Sequence, residues 1–305
     1  MKLEVKNIHK SFGGTEVLHG ISFMVESNNA LGLLGRNGAG KTTTMRILMD
    51  VFKANEGEIL LDGKKFEPSK CRIGYMPEER GLYPKRVILE QMVYFGRLHG
   101  MKKKDAIDSS KKWLNRMGIG EYANRKLETL SKGNQQKVQL ATTLVANPDI
   151  VVLDEPFSGL DPVNSQVLKE IVTELITQGK LVIFSSHQMN YVEEFCDNIV
   201  IINHGNVVLS GQLKDIKKEF GKNQLVVAFE ECSVEETQRS LQENYSDYVE
   251  ITAVTKTQVV LRLKENVEKN DFIQAMTEKH EKIAYVGNYE PSLNDIFVEK
   301  AGDES

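Results

Sequence analysis

Short apolar runs alternate through the first 220 residues with segments whose apolar residues recur at helical spacing. The apolar runs predict strands, at residues 2–7, 21–25 and 30–35 and within EILLDGK, RIGYM, DIVVLDEP and KLVIFSSH. The helical spacing predicts helices at residues 42–51, from about 82 to 117, from 131 onward and between the last two strands. Strands that alternate with helices favour an α/β fold with a largely parallel sheet, covered on both faces.

The pattern changes after residue 220, where four strand-like runs surround two helical segments. The strands are predicted in QLVVAFE, YVEITAV, QVVLRLK and KIAYVGNY, and the helices at residues 233–243 and 267–279. The first of these helices opens with a Ser233–Glu236 capping box, and a last helix should begin after Pro291, capped by Ser292. The order βαββαβ is typical of a ferredoxin-like α+β unit.

Charge divides the chain at the same place. Residues 221–305 hold 17 Asp+Glu and 9 Lys+Arg, a net charge of −8 in a chain whose total is −4. The preceding residues are therefore net positive. We expect one domain at residues 1–220 and a small α+β accessory domain at residues 221–305.

The composition, with 40% hydrophobic and 27% charged residues, is that of an ordinary globular protein. No apolar run approaches the ~18 residues of a membrane span, and the N-terminal residues lack the apolar core of a signal peptide. We therefore expect the chain to stay in the cytosol. Its net charge argues against nucleic acid as the main partner, and three widely separated cysteines predict neither a disulfide nor a metal site.

The octet GRNGAGKT, at residues 35–42, matches G-x-x-x-x-G-K-[ST] between a predicted strand and a predicted helix. Glycines let such a loop curl until its N–H groups face phosphate oxygens. Lys41 is expected to reach the outer phosphates of a nucleotide, and Thr42 to offer its hydroxyl to Mg²⁺. The predicted phosphate-binding residues are Gly35, Asn37, Gly38, Ala39, Gly40, Lys41, Thr42 and Thr43.

Two further predicted strands end in residues that complement this loop. Asp154 closes the strand in DIVVLDEP and can place a carboxylate beside the Mg²⁺ held by Thr42. Glu155 follows at once, where it can polarise an attacking water as general base or positioning group. Of the six histidines, only His187 is predicted at the carboxyl end of a strand, which suits a sensor of the γ-phosphate.

A second candidate phosphate cradle occurs in LSKGNQQK, at residues 130–137, which begins a predicted helix. Ser131 suits the N-cap, and a Ser-x-Gly turn at a helix start offers N–H groups and a hydroxyl to an anion. The chain thus holds two candidate phosphate cradles about 90 residues apart.

Taken together and in this order, the motifs resemble those of the ATP-binding subunits of ABC transporters. GRNGAGKT resembles the Walker A motif, IVVLDE the Walker B motif, SGLD the D-loop and SSH the switch-histidine segment. Phe12 resembles the aromatic residue that stacks on adenine, with Val17 nearby. The resemblance implies that residues 1–220 form an ATP-binding domain. It implies the P-loop ABC ATPase fold, a mixed sheet with a helical subdomain, and ATP and Mg²⁺ as cofactors.

LSKGN stands where the family usually has the signature LSGGQ. The resemblance implies that Ser131, Gly133 and Asn134 bind the γ-phosphate of ATP held on a second subunit, so that a two-fold dimer contains two composite sites. Lys132 and Asn134 depart from the usual glycine and glutamine, and we expect Lys132 to face solvent. Glu78, in GYMPEERGLYP, falls at the usual Q-loop glutamine, where its carboxylate could ligate Mg²⁺ or its water.

The segment after residue 220 resembles the small C-terminal domain of some bacterial ATPases of the sodium- or drug-exporter type, which implies a regulatory or dimer-bracing role. The resemblance implies two partners: a second ATP-binding subunit, taken as an identical chain, and a separate membrane permease. The permease would dock at residues 82–117 and hold the chain at the inner face of the membrane.

Two other functions compete with this interpretation. A soluble ABC ATPase could act on ribosomes or DNA, but those types usually carry two ATPase halves or long coiled-coil insertions. A non-catalytic nucleotide-binding regulator conflicts with the presence of Glu155 and His187.

Overall fold

Strands and helices alternate along the computed structural model, which describes residues 1–79, 81–279 and 281–302. The strands are β1 Lys2–Phe12, β2 Thr15–Glu26, β3 Ala30–Leu34, β4 Glu56–Leu61, β5 Lys64–Lys65, β6 Ile73–Met76, β7 Ile150–Leu153, β8 Leu181–Ser186, β9 Asn198–Asn203, β10 Asn206–Gln212, β11 Gln224–Phe229, β12 Val249–Val254, β13 Val259–Leu263 and β14 Ile283–Asn288. The α-helices are α1 Lys41–Leu48, α2 Ile88–Leu98, α3 Lys103–Arg116, α4 Lys132–Leu144, α5 Pro162–Thr177, α6 Met189–Phe195, α7 Leu213–Phe220, α8 Val234–Asn244, α9 Lys269–Glu278 and α10 Leu293–Ala301. Arg80, within GYMPEERGLYP, lies outside the described residues.

The central sheet has the strand order β10-β9-β3-β8-β7-β6, and β10 alone among these strands is antiparallel to its neighbour. β3, β7 and β8 are buried at every position. A strand covered on both faces reads in sequence as a continuous apolar run, which is why these three could be predicted. The largely parallel sheet expected from the alternation of strands and helices is confirmed.

The register of this sheet brings three strand ends to one edge. Leu34 of β3 pairs with Ser186 of β8, and Leu153 of β7 pairs with Phe184 of β8. Because the three strands run in the same direction, the loops that follow them emerge side by side. These loops carry the residues predicted to bind phosphate, magnesium and water.

A second, antiparallel sheet of order β2-β1-β4-β5 packs against the central one. Its buried residues form one core cluster with those of β3, β7 and β8. The strands predicted at 2–7 and 21–25 extend into a long hairpin that turns at Gly13 and Gly14, both with positive φ. The outer halves of the hairpin are mostly polar, so hydrophobicity did not reveal them.

Two predicted helices have different limits in the structure. The helix predicted over 42–51 ends at Leu48, because Asp50 adopts a φ of 60° that an α-helix cannot continue. The helical stretch predicted from about 82 to 117 contains two helices, α2 and α3, and Gly100 turns between them with a φ of 83°. The helix predicted from 131 is confirmed as α4.

Residues 189–220 contain elements that the sequence pattern did not predict, namely α6, β9, β10 and α7. β9 is a buried apolar strand of the parallel sheet, whereas β10 alternates between half-buried and exposed positions at its edge. None of the helices in the described ranges is long and apolar enough to cross a bilayer.

The C-terminal sheet has the order β12-β13-β11-β14, with every neighbouring pair antiparallel. Numbered from the start of this segment, the order is 2-3-1-4, which confirms the ferredoxin-like arrangement. α8 and α9 pack on it around a core that includes Tyr245 and Phe272. Ser233 and Glu236 form the predicted capping box, and Ser292 Oγ accepts from the Asp295 N–H at 3.2 Å.

The chain divides into two compact units, one of residues 1–213 with those from Phe297 onward and one of residues 214–296. The first division lies seven residues before the predicted boundary, and the second falls within α10. Residues 303–305 of the predicted accessory domain lie outside the described part of the chain. The assignment of domains to 1–220 and 221–305 therefore stays a prediction.

Gly57 and Gly63 separate backbone strain from steric clash. Both have positive φ, but a Cβ at Gly57 would lie 2.2 Å from the Asn7 carbonyl oxygen, whereas a Cβ at Gly63 meets no atom within 4 Å. Gly63→Ala should cost roughly 1–2 kcal/mol of unfolding free energy from strain. Gly57→Ala should cost a further ~1–3 kcal/mol, because β1 must move.

Urea unfolding followed by the fluorescence of Trp113, the single tryptophan, measures this difference in the first unit. Equal losses of stability in the two variants would contradict the clash.

Candidate functional site

The glycine-rich loop joins β3 to α1 at the edge where the parallel strands end. Gly40 has a φ of 114°, and a Cβ there would lie 2.6 Å from Leu18 Cδ2, so the position admits only glycine without rearrangement. Gly40 is also the N-cap of α1 and supplies no side chain to cap it. The first N–H groups of the helix have no intrahelical acceptor and are left for an anion.

Lys41 is a buried cation folded beneath this loop. Its ammonium donates to the Gly35 carbonyl at 2.6 Å and to the Arg36 carbonyl at 3.3 Å. It also lies 3.9 Å from Glu155 Oε1, and both side chains are more than nine-tenths buried. A positive charge is therefore held directly between the loop and the end of β7.

One cavity of 340 Å³ collects most of the residues predicted to bind nucleotide and metal. It is lined by Val17, Arg36, Asn37, Gly38, Gly40, Lys41, Thr42, Thr43, Glu78, Asp154 and Glu155. Gly35 and Ala39 belong to the same loop without lining the cavity. Phe12 also lies outside the lining: its ring is exposed and packs edge-to-face on Phe52, with centroids 5.2 Å apart. Its contact with adenine stays a prediction.

Asp154 and Glu155 are buried carboxylates immediately after β7. Asp154 Oδ1 accepts from Ser185 Oγ at 2.6 Å, and Glu155 Oε2 lies 2.9 Å from His187 Nδ1. Within the described residues, Asp154 Oδ2 and Glu155 Oε1 are buried without a hydrogen-bond partner. Buried polar atoms are normally satisfied, so these two oxygens are available for a ligand.

Glu155 is also conformationally unusual, with a φ of 50°. The left-handed region is uncommon for a residue with a side chain, and strained residues of this kind concentrate at functional sites. Its N–H donates to Ser185 Oγ at 2.9 Å. The strain turns the Glu155 side chain toward Lys41 and His187.

Ser185 is a site residue that sequence reasoning did not single out. It is fully buried in β8, donates to Asp154 and accepts from the Glu155 N–H. One hydroxyl thus fixes both consecutive acidic residues. The signal was present in KLVIFSSH, where a serine stands inside an otherwise apolar buried strand and must have a partner.

His187 directly follows β8, as predicted, and its ring is half exposed beside Glu155. The prediction that only His187 follows a strand is wrong, because His204 directly follows β9. His204 begins the turn into β10 with a φ of 45° and is exposed. Neither histidine lines the cavity, and it is the 2.9 Å contact of His187 with Glu155 Oε2 that joins His187 to the site. Position at a strand end alone therefore did not identify a site residue.

The oxygen atoms around the cavity suit Mg²⁺, which prefers carboxylate and hydroxyl or water oxygens. Asp154 Oδ2 is buried without a hydrogen-bond partner among the described residues, so it can coordinate a cation. Thr42 lines the same cavity. Glu78 lines it from the opposite loop with an exposed side chain. The three residues predicted to hold metal are therefore brought together.

The LSKGN residues lie away from this cavity. Ser131 is the N-cap of α4, and its Oγ accepts from the Asn134 N–H at 3.3 Å, which confirms the predicted cap. Lys132 is exposed, as predicted. Gly133 is buried against Asn164, where a Cβ would lie 2.7 Å from the Asn164 amide nitrogen. Ser131, Gly133 and Asn134 do not line the cavity that holds Lys41.

Two glutamines on one face of α4 connect this helix to the loops of the cavity. Gln139 is buried, and its amide nitrogen donates to the carbonyls of Pro77 at 2.8 Å and Glu79 at 3.2 Å, on either side of Glu78. Gln136 donates to the carbonyl of Pro156, the residue after Glu155, at 3.2 Å. The helix that begins at Ser131 is therefore bonded to both acidic loops. Neither glutamine was predicted to belong to the site.

A second cavity, of 360 Å³, lies among the helices that follow the Glu78 loop. It is lined by Tyr83, Arg86, Glu90, Gln91 and Tyr94. The rings of Tyr83 and Tyr94 are both about half exposed. Exposed aromatic and arginine side chains beside a depression are typical of a protein-binding surface.

Comparisons with known proteins agree with this geometry. The model of the family described as ABC transporter matches residues 18–158, and that described as ATP-binding protein DrrA1-3-like, C-terminal domain, matches residues 211–301. A solved structure described as the ATP-binding subunit of an ABC transporter matches with a TM-score of 0.67 and 27% identity, over 80% of this chain and 100% of that chain.

Two relatives from Bacillus subtilis (strain 168) extend the similarity. The linearmycin resistance ATP-binding protein LnrL is 32% identical over 228 residues, which cover 73% of each chain. The uncharacterized ABC transporter ATP-binding protein YhaQ is 40% identical over 303 residues, or 98% of both chains. Because that similarity runs through both units, the chain belongs to the ATP-hydrolysing, ATP-binding subunits of ABC transporters.

Proposed function

We propose that this ATPase subunit dimerises on ATP and drives a membrane permease that exports drugs or sodium ions. One observation carries the proposal. The phosphate loop, Asp154 and Glu155 converge on one cavity, while the capped start of α4 lies outside it. A phosphate that needs both cradles must therefore be shared between two chains.

In the proposed site, the first-turn N–H groups of α1 and the Lys41 ammonium bind the outer phosphates. Lys41 must exchange its bond to the Gly35 carbonyl for phosphate oxygens, which are charged and therefore stronger acceptors. Thr42 and Asp154 would hold Mg²⁺, with Glu78 acting directly or through a water. The ion, when bound, neutralises phosphate charge.

Glu155 is the proposed base. Its Oε1 has no hydrogen-bond partner among the described residues, so it can accept a proton from an attacking water. Its Oε2 is held by His187 Nδ1, which orients the carboxylate. From this position beside the base, His187 is proposed to sense the γ-phosphate. Ser185 holds the backbone of Glu155 and the side chain of Asp154, so the two acids keep a fixed separation.

Glu155→Gln should cut ATP hydrolysis by roughly 10² or more, because the amide cannot accept the proton of the attacking water. ATP binding should persist, since the phosphate loop is unchanged, and the ATP-bound dimer should accumulate. Steady-state phosphate release and size-exclusion chromatography with ATP measure the two effects. Hydrolysis at the unaltered rate would show that Glu155 is not the base.

The two-fold arrangement makes a sharper prediction for mixtures of variants. Ser131→Arg should leave ATP binding to one chain intact but abolish ATP-driven dimerisation and hydrolysis, because a bulky cation replaces the hydroxyl at the shared phosphate. Lys41→Ala should fail because its own phosphate loop is defective. A dimer with one chain of each kind rebuilds one complete site, so mixing the two nearly inactive variants should restore part of the hydrolysis.

Cross-linking must show that mixed dimers form. If they form and no hydrolysis returns, the shared-site arrangement is contradicted, because a signature acting within its own chain gains nothing from mixing.

Gln139 gives a test of the connection between the two half-sites. Gln139→Met keeps the length of the side chain but removes the amide that holds the carbonyls on either side of Glu78. A hydrogen bond is worth about 0.5–1.5 kcal/mol, so the Mg²⁺ concentration for half-maximal hydrolysis should rise about 2- to 10-fold.

Gln136→Met is the matched control, because it frees the Pro156 carbonyl on the Glu155 side instead. It should lower the maximal rate without changing the Mg²⁺ requirement. Equal shifts in both variants would mean that α4 is merely loosened, and would contradict a specific role for Gln139.

The direction and cargo of transport rest on the comparisons and the sequence resemblance. A relative over 73% of the chain is named for linearmycin resistance, which supports export of a drug-like molecule.

We propose that the permease docks on the cavity beside Tyr83 and Tyr94 and holds the subunit at the cytoplasmic face of the membrane. Co-purification from membranes, with loss of the permease in a Tyr83→Ala, Tyr94→Ala variant, tests this. Recovery with ribosomes or DNA instead would overturn it.

A further inference from the structure

A cavity of 940 Å³ in the second unit shares no lining residue with the ATP site. It opens between α7, the first residues of β11, the loop from β13 into α9, and the end of β14. Its charged lining residues are Lys214, Lys217, Lys218, Lys222, Lys269, Glu268 and Glu290. All of the lining residues belong to residues 214–296, so the cavity is a property of this unit alone.

One face of α7 and the turn after it supplies most of the positive charge. Lys214, Lys217 and Lys218 are spaced at i, i+3 and i+4, which places them on the same side of α7, and Lys222 lines the cavity from the turn after the helix. The acidic residues of α7, Asp215 and Glu219, do not line the cavity. The basic side chains of α7 therefore line the cavity, whereas its acidic side chains do not.

The positive charge of the cavity contrasts with the negative net charge of the unit. Residues 214–296 hold 11 Lys+Arg and 16 Asp+Glu, a net charge of −5. The cavity nevertheless gathers five of those lysines with only two glutamates. A basic depression in an acidic unit creates a local positive potential that the average charge of the unit would not produce.

The two glutamates are already engaged. Glu290 pairs with Lys217 at 3.3 Å, and the Glu268 carboxylate accepts the Asp271 N–H as the cap of α9. Lys269 donates to Asn288 Oδ1 at 3.0 Å, a neutral acceptor that leaves its charge uncompensated.

The other three lysines have no such partner. In the described ranges of the chain, no ion pair compensates the side chains of Lys214, Lys218 and Lys222. The cavity therefore keeps several positive charges that a bound anion can neutralise.

The N-terminus of α9, at Glu268, Lys269 and Asn270, lines the cavity opposite the lysine face of α7. This helix end already carries the Glu268–Asp271 capping box, so the lysines supply the main attraction for an anion. Lysine ammonium groups act as point charges and suit phosphate oxygens, which accept from several directions.

We propose that this cavity is a binding site for a phosphate-bearing polyanion. Several ammonium groups around one space demand more than one negative charge, which phosphate chains and phospholipid headgroups both provide. The volume lies in the range of natural ligand sites, and the five lysines of the lining favour a ligand of negative charge. This unit carries none of the motifs for ATP hydrolysis. A ligand bound here would therefore not compete with ATP for the same residues.

The test uses the full chain carrying Lys41→Ala, which removes phosphate binding at the glycine-rich loop, and inorganic tripolyphosphate as the probe. Calorimetric titration should show binding that weakens as salt is raised, because exposed charges are screened beyond about 10 Å at 0.1 M salt. Adding Lys214→Gln, Lys218→Gln and Lys222→Gln should weaken binding at least tenfold. The corresponding three Lys→Arg changes should preserve it.

The matched control replaces Arg239, Lys256 and Lys282 by Gln, three exposed cations of the same unit that do not line the cavity. It alters the net charge equally and should leave binding unchanged. Circular dichroism of each variant verifies that it is folded.

A parallel arm uses phosphatidylcholine vesicles with and without phosphatidylglycerol and distinguishes the two sources of phosphate. Tripolyphosphate binding that depends on the cavity lysines supports a soluble ligand. Binding only to the anionic vesicles, with the same dependence, supports a lipid headgroup. Binding of neither probe, or equal losses in the cavity and control variants, would overturn the site.

Discussion

The parallel pairing of β3, β8 and β7 is the constraint on which the site depends. The register fixes the ends of these strands within two residues of each other, so the phosphate loop, the acidic pair and His187 must emerge together. Formation of the sheet alone therefore brings these loops together. A slip in register would move the loop after one strand away from the loops after its neighbours.

The same arrangement stores opposing charges in a small volume. Lys41 lies 3.9 Å from Glu155 with both side chains buried, and Asp154 keeps one oxygen without a partner among the described residues. Burying charges without full compensation is costly, and removing one member of a buried pair typically costs about 3–5 kcal/mol. The fold therefore tolerates a locally unfavourable site that a cationic and anionic ligand together can complete.

Sequence could anticipate those parts of the molecule in which one local pattern implies one structure. A wholly buried strand reads as an apolar run, and a glycine loop between strand and helix reads as a phosphate cradle, so β3, β7, β8 and Lys41 were predictable. Gln139 was not, because a glutamine in an amphipathic helix looks like a surface residue until its acceptors at Pro77 and Glu79 are known. His204 illustrates the opposite limit, because it follows a strand as His187 does and yet does not line the cavity.

The bonds of α4 to both acidic loops have a genetic consequence under the proposed two-fold arrangement. A substitution at Gln139 would disturb the chain's own site through the Glu78 loop and the partner's site through the start of α4. A single altered subunit would then impair both catalytic centres of a dimer. Expressed beside the normal protein, such a variant would be dominant, because most assemblies would contain at least one altered copy. Alleles that affect only the phosphate loop would leave one centre of a mixed dimer complete and so behave more nearly as recessive.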